Sequence, residues 1–146
     1  MPILEEEYFS NHSVEQLYNL VIDIERYPEF LPWCSSAEII EESSSELIAD
    51  LIINFKAFKE HYRSRVNLTP PKKGKAKVDV DLISGPFKNL ENHWSFETKG
   101  DQTKISFYIN FEFKSMLLEK LIGVVFSIAC QKMVQAFEAR AKELYD

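Results

Sequence analysis

The side chains able to do covalent chemistry are few, and their placement argues against it. His12, His61 and His93 fall in separate segments, and the sequence offers none of them a nucleophile partner. Cys34 and Cys130 lie far apart, with no C-x-x-C or C-x-x-H spacing, so a zinc site is not expected. Asp79 and Asp81 are two apart in an alternating stretch, which points both to one face, the wet one. There is no G-x-S-x-G, H-E-x-x-H, P-loop or G-x-G-x-x-G. The residue types in excess are aromatic: 11 Phe, 6 Tyr and 2 Trp, 13% of the chain. Aromatic and apolar side chains in such numbers bind, fill or line; they do not cleave. The sequence therefore predicts a binding protein with no catalytic residues.

The elements that must position these aromatics follow from periodicity. A first strand is expected over 3–10. A helix follows with Ser13 as N-cap and a stripe of Val14, Leu17, Tyr18, Val21 and Ile24. Pro28 ends or kinks it, and the aromatic loop Tyr27-Pro-Glu-Phe-Leu-Pro-Trp33 comes next. From 37 to 113 the period is two. Phe55, Phe58, Tyr62, Trp94 and Phe96 fall on dry faces, opposite Lys59, His61, Arg63, His93 and Glu97. Regular alternation with short turns predicts an antiparallel sheet wetted on one side. From about 115 to 145 the period is helical again, and a single long helix is expected. Strand, helix, about six strands and a long helix give an α+β domain spanning 1–146. The terminal helix is the one element long enough to cover the dry face.

Composition bounds the partners. The chain has 146 residues and a net charge of −6, and a length of this order is one domain. The longest apolar run, Leu121 to Cys130, is about half a membrane span. The start carries no basic, apolar leader, so the expected location is the cytoplasm with reduced thiols, including the inner face of the plasma membrane as a peripheral site. Charge is uneven. Residues 1–50 hold 12 acids and one base, whereas 51–77 hold 8 bases and one acid. Lys59, Arg63, Arg65, Lys75 and Lys77 share the wet face if 57–68 pairs with 75–84. That face reads as ordinary solvated sheet, or as a dock for a phosphate-bearing partner such as anionic lipid or RNA. The acidic total argues against DNA.

Large aromatics on the sheet face small or flexible residues on the terminal helix, among them Gly123, Ala129 and Met133. A helix gripping a curved sheet can leave an apolar tunnel, the usual shape of a small-molecule site. A solid core, with the helix serving only as packing, fits the same pattern.

Three stretches together resemble the coenzyme Q-binding and ribosome-association-toxin family of the polyketide-cyclase/START superfamily. They are Tyr27-Pro-Glu-Phe-Leu-Pro-Trp-Cys34; Gly85-Pro-Phe-Lys-Asn-Leu90 with Trp94-Ser-Phe96; and Phe111-Glu-Phe-Lys-Ser115 running into Ala136-Phe-Glu-Ala-Arg-Ala141. The resemblance implies a helix-grip (START/Bet v-like) fold of six to seven strands around a C-terminal helix. It implies Phe30, Leu31, Pro32 and Trp33 at the cavity mouth, Pro86 and Phe87 at the closing turn, and Trp94 on the next strand. Leu118, Leu121, Ile122, Val125, Phe126 and Ala129 would line the helix side. The implied ligand is a polyprenyl quinone such as ubiquinone, with no other cofactor. The quinone head needs an aromatic face and donors, which Tyr62, Trp94 and Lys88 could supply by their chemistry. The family also implies a second role, contact with the large ribosomal subunit that blocks subunit joining. A cyclase or dehydrase on the same fold is the third reading, disfavoured because no acid–base pair points inward.

Overall fold

The computed structural model describes residues 3–55 and 58–146, and the expected site residue Phe58 has a side chain outside the described part. The alternating segments form one seven-stranded antiparallel sheet in the order β1-β7-β6-β5-β4-β3-β2. The strands are β1 (Ile3–Ser10), β2 (Cys34–Glu42), β3 (Glu46–Phe55), β4 (Phe58–Lys72), β5 (Lys75–Ser84), β6 (Phe87–Lys99) and β7 (Gln102–Phe113). The chain runs back and forth from β2 to β7, and β1 closes beside β7. Cross-strand register places Tyr62 opposite Leu51, Trp94 between Val78 and Phe107, and Phe96 between Ala76 and Ile105. These rows form the dry face, and cross-strand aromatic and β-branched neighbours are the unit that stabilises such a sheet.

Helix α1 (Val14–Ile22) begins with a capping box: the Ser13 hydroxyl accepts from Gln16 N, and the Gln16 amide oxygen accepts from Ser13 N. Such a cap contributes about 1 kcal/mol. The helix ends at Ile22, before Pro28. A 3₁₀ helix over Ile24–Glu29 then carries that proline inside it. Val14, Leu17, Tyr18, Val21 and Ile24 are all buried, as the stripe predicts. Helix α1 packs on β4, β5 and β6. Helix α1 and the C-terminal helices thus share the covering of the dry face, and the expectation that the terminal helix alone would cover it does not hold.

The C-terminal segment is also two helices rather than one. Helix α2 (Met116–Gln131) and helix α3 (Met133–Tyr145) are separated by Lys132, whose φ of −99° and ψ of 3° interrupt the helical path. Ser115 caps α2 by accepting from Leu117 N and Leu118 N. No described helix is long and apolar enough to cross a membrane.

Candidate ligand site

The aromatic loop closes one end of the grip. Tyr27 donates its hydroxyl to the Val21 carbonyl, and its ring meets Phe30 and Phe137 edge-on at 6.0 and 5.4 Å. Phe30 packs on Phe137 at 5.0 Å and lies under the Arg140 guanidinium at 5.3 Å, while Arg140 also pairs with Glu29. Trp33, half-buried, reaches Phe126 of α2. Leu31 is buried and Pro32 is exposed. The expected mouth residues thus fasten the loop to both α2 and α3.

In the β5–β6 turn, at the same end of the sheet, Gly85 has a φ of +148°, and an added Cβ would stand 2.5 Å from the Tyr62 Cβ. Only glycine lets this turn pass over Tyr62. Pro86 and Phe87 are buried, and the Pro86 carbonyl accepts from Lys114 N, which ties the turn to the start of α2.

Among the described residues, aromatic rings occupy the space beneath the C-terminal helix. Phe126 projects from α2 into a nest of Phe55, Phe87, Phe111 and Phe113, with centroids 4.7–6.4 Å away once Trp33 is included. Trp94 is buried against Phe96, Phe107 and Phe137. One small cavity among the described residues lies to one side, between α1, the 3₁₀ helix and the sheet. It is a cavity of about 50 Å³ lined by Val21, Ile24, Tyr27, Leu51, Tyr62, Ser64, Val66, Val78, Val80, Asn92 and Trp94. That volume holds water but falls well short of the ~300–1,000 Å³ of ordinary ligand pockets.

The cavity's polar groups are few and neutral. Among the described residues the Tyr62 and Ser64 hydroxyls make no hydrogen bond, and Asn92 donates to the Tyr108 carbonyl. Burial pushes the Tyr62 phenol well above its ordinary range, so it is a hydrogen-bond donor at any physiological pH. Sequence reasoning had found Tyr62 and Trp94 but missed Ser64 and Asn92. Their signal was available: both are polar residues at dry-face positions of alternating strands. Lys88 is exposed at the start of β6 and does not line the cavity.

The helix residues divide. Ile122, Phe126 and Cys130, spaced by four, point into the core; Leu118, Ala129 and Met133 are half-buried. Leu121 and Val125, expected over the tunnel, are 48% and 42% exposed. Each precedes a core residue by one position, so helical geometry turns it about 100° away.

The basic face is less basic than its sequence. Arg63 makes a bidentate pair with Asp50 at 2.7 and 3.0 Å, and His61 joins the same carboxylate. Arg65 lies 3.6 Å from Glu46 and 4.0 Å from Asp81, and Lys75 lies 3.4 Å from Glu97. Lys59 and Lys77 have no ion pair among the described residues.

Two further clusters bear on chemistry. Both thiols are buried, and burial pushes Cys34 up to about 11 and Cys130 up to about 12, which leaves them protonated and poorly nucleophilic. His12, read from sequence as partnerless, has partners. Its Nδ1 is 3.1 Å from Ser10 Oγ and 3.2 Å from Glu138, and its Nε2 is 2.9 Å from Asp146. Ser10 is 1% exposed and donates to Glu138 at 2.6 Å. A serine so sealed and so committed ties β1 to α3; it has no open side from which a substrate could reach it.

Comparison with known proteins agrees with this architecture. Residues 10–138 match the family described as polyketide cyclase / dehydrase and lipid transport, and the chain belongs to that family. It is 46% identical over 133 residues to the ribosome association toxin RatA of Rickettsia prowazekii, covering 91% of each chain. It is 31% identical over 137 residues to the mitochondrial coenzyme Q-binding protein COQ10 homolog B of Xenopus laevis, covering 91% of this chain and 55% of that one. A START superfamily protein from Mycobacterium smegmatis superposes with a TM-score of 0.72 at 18% identity, covering 97% and 98% of the two chains. The Zhui aromatase/cyclase from Streptomyces sp. R1128 superposes at 0.80 with 13% identity, covering 97% and 93%. These two likenesses establish the helix-grip fold.

Proposed function

We propose that the protein is a non-enzymatic carrier of a polyprenyl quinone such as ubiquinone, supporting respiratory electron transfer by holding its ligand out of the bilayer. The observation that carries this reading is the apolar cavity with free neutral hydroxyls at Tyr62 and Ser64, set behind an aromatic gate. A quinone head is flat and presents carbonyl acceptors. Two hydroxyl donors beside the Trp94 ring are complementary to it, with each net hydrogen bond contributing about 1 kcal/mol. The tail needs a dry slot, and each buried methylene contributes about 0.8 kcal/mol. In this reading the tail takes the space now held by Phe126, with α2 moving outward. The name of the Xenopus relative is in keeping with this ligand.

Native mass spectrometry of protein purified from quinone-producing cells is the test. One quinone per chain is expected. Apoprotein that short-tail quinones also fail to titrate overturns the reading.

A second reading, association with the large ribosomal subunit, is favoured by the name of the Rickettsia relative. With Arg63 and Arg65 committed to carboxylates, the cations without an ion pair among the described residues of this face are Lys59 and Lys77, with Lys72 and Lys73 around the β4–β5 turn. Sucrose gradients decide it: added protein raises the ratio of free subunits to monosomes, and Lys72→Glu with Lys73→Glu abolishes the effect. An unchanged ratio removes this reading.

A further inference from the structure

Helix α2 is apolar on two sides. One side carries Ile122, Phe126 and Cys130 into the core. The other carries Leu117, Val124 and Ile128, which are 65%, 69% and 44% exposed, with Leu121 and Val125 beside them. A helix that is hydrophobic all round belongs in a buried or lipid environment, and an exposed apolar stripe of this length marks an interaction surface.

The charges around the stripe choose the partner. Lys114 precedes the helix, Lys120 flanks the stripe and Lys132 ends it, and none of the three has an ion pair among the described residues. Lys88 stands beside Lys114 around the shallow hollow at the helix start, which Glu112 and Glu119 also line. The one acid within α2, Glu119, lies on the far side, its carboxylate against Gly123. Half-buried Trp33, an aromatic with a polar edge, sits at the same end of the grip against Phe126. An apolar stripe bounded by lysines, with its acid turned away, suits a layer of anionic headgroups over hydrocarbon.

We propose that the outer face of α2 lies in the interface of an anionic bilayer, with Leu117, Val124 and Ile128 among the acyl chains and Lys114, Lys120 and Lys132 at the headgroups. This surface replaces the β4–β5 face that the sequence alone suggests, and it is independent of what the cavity holds. It also places the break at Lys132 and the gate loop next to the membrane.

The test is flotation with vesicles of phosphatidylcholine alone and with an equal admixture of phosphatidylglycerol. The full chain is expected to float with the mixed vesicles and weakly with the neutral ones. Lys120→Gln and Lys132→Gln should each weaken binding about fivefold, and Val124→Asp tenfold or more. These positions are exposed, and an unchanged circular-dichroism melt verifies their folding. A short-tail quinone titration in detergent, run on Val124→Asp, keeps this question apart from the cavity: binding there should be unchanged. Equal flotation of wild type and Val124→Asp overturns the proposal. So does a wild type that floats with neither vesicle. Dimerisation, or ribosome association, that the same substitutions abolish in a protein binding no vesicle assigns the face to that other partner and also overturns it.

Discussion

Phe126→Ala removes the ring that fills the grip. Phe126 is 4% exposed and touches five aromatic rings, those of Trp33, Phe55, Phe87, Phe111 and Phe113. Truncating a buried phenylalanine costs about 3–5 kcal/mol through lost transfer energy and the hole left behind. At about 2–4 °C per kcal/mol for a chain of this order, the melting temperature should fall by about 6–20 °C. The hole opens beside Phe87, whose ring lies 5.7 Å from Tyr62 of the cavity. The variant therefore carries, already open, the slot that the wild type must clear for a tail. A quinone present at a hundred times its Kd should stabilise the variant by about 2.7 kcal/mol, and the variant should bind more tightly than the wild type. Urea unfolding with and without a short-tail quinone measures both effects. A loss of stability below about 1 kcal/mol would show that Phe126 is no plug. A full loss that the ligand does nothing to restore would refute the claim that the tail occupies this space.

Tyr62→Phe keeps the ring and removes the free hydroxyl; quinone affinity should fall about fivefold with the melt unchanged, as read by calorimetric titration. Gly85→Ala should destabilise the fold by at least ~1–3 kcal/mol, because the new Cβ collides with Tyr62; urea unfolding checks it. At His93 burial lowers the pKa, but the hydrogen bonds and charges of Asp79 and Glu91 outweigh it, and the net shift is upward. The imidazolium therefore contributes stability that is fully present below about 6.5 and lost as pH rises through the folded-state pKa. The group is 42% exposed, so solvent screening holds its contribution below about 1 kcal/mol; His93→Gln should flatten that part of the stability–pH curve. Asp50 behaves oppositely. The Arg63 hydrogen bond, ahead of burial, which opposes it, and of His61, holds its carboxyl low. Stability from this pair is present at neutral pH and lost in acid, an effect that Asp50→Asn should remove from acid-unfolding curves.

The sheet was legible because its signal is local. Alternation at Ala76, Val78 and Val80, or at Ile105, Phe107 and Ile109, depends only on one face being dry, and each of those residues is on that face. The gate loop and the Gly85 turn were legible as places, since aromatics and glycine mark them. What failed depended on the third dimension. Leu121 and Val125 look like Ile122 and Phe126 in sequence, and only the helix's rotation separates core from surface. The basic face looked free because its neutralising acids, Asp50, Glu46 and Asp81, belong to the neighbouring strands. The His12 cluster joins residues from both ends of the chain, so no spacing reveals it. Aromatic excess sets the volume of filling available, and among the described residues that filling surrounds Phe126.

The chain's two tryptophans both stand where the ligand should go, Trp94 at the cavity wall and Trp33 at the gate against Phe126. Fluorescence titration with a short-tail ubiquinone therefore reads the central claim directly. Saturable quenching at one quinone per chain, with a weaker midpoint in Tyr62→Phe, is the predicted result. Quenching that never saturates, or a midpoint indifferent to Tyr62, would contradict it.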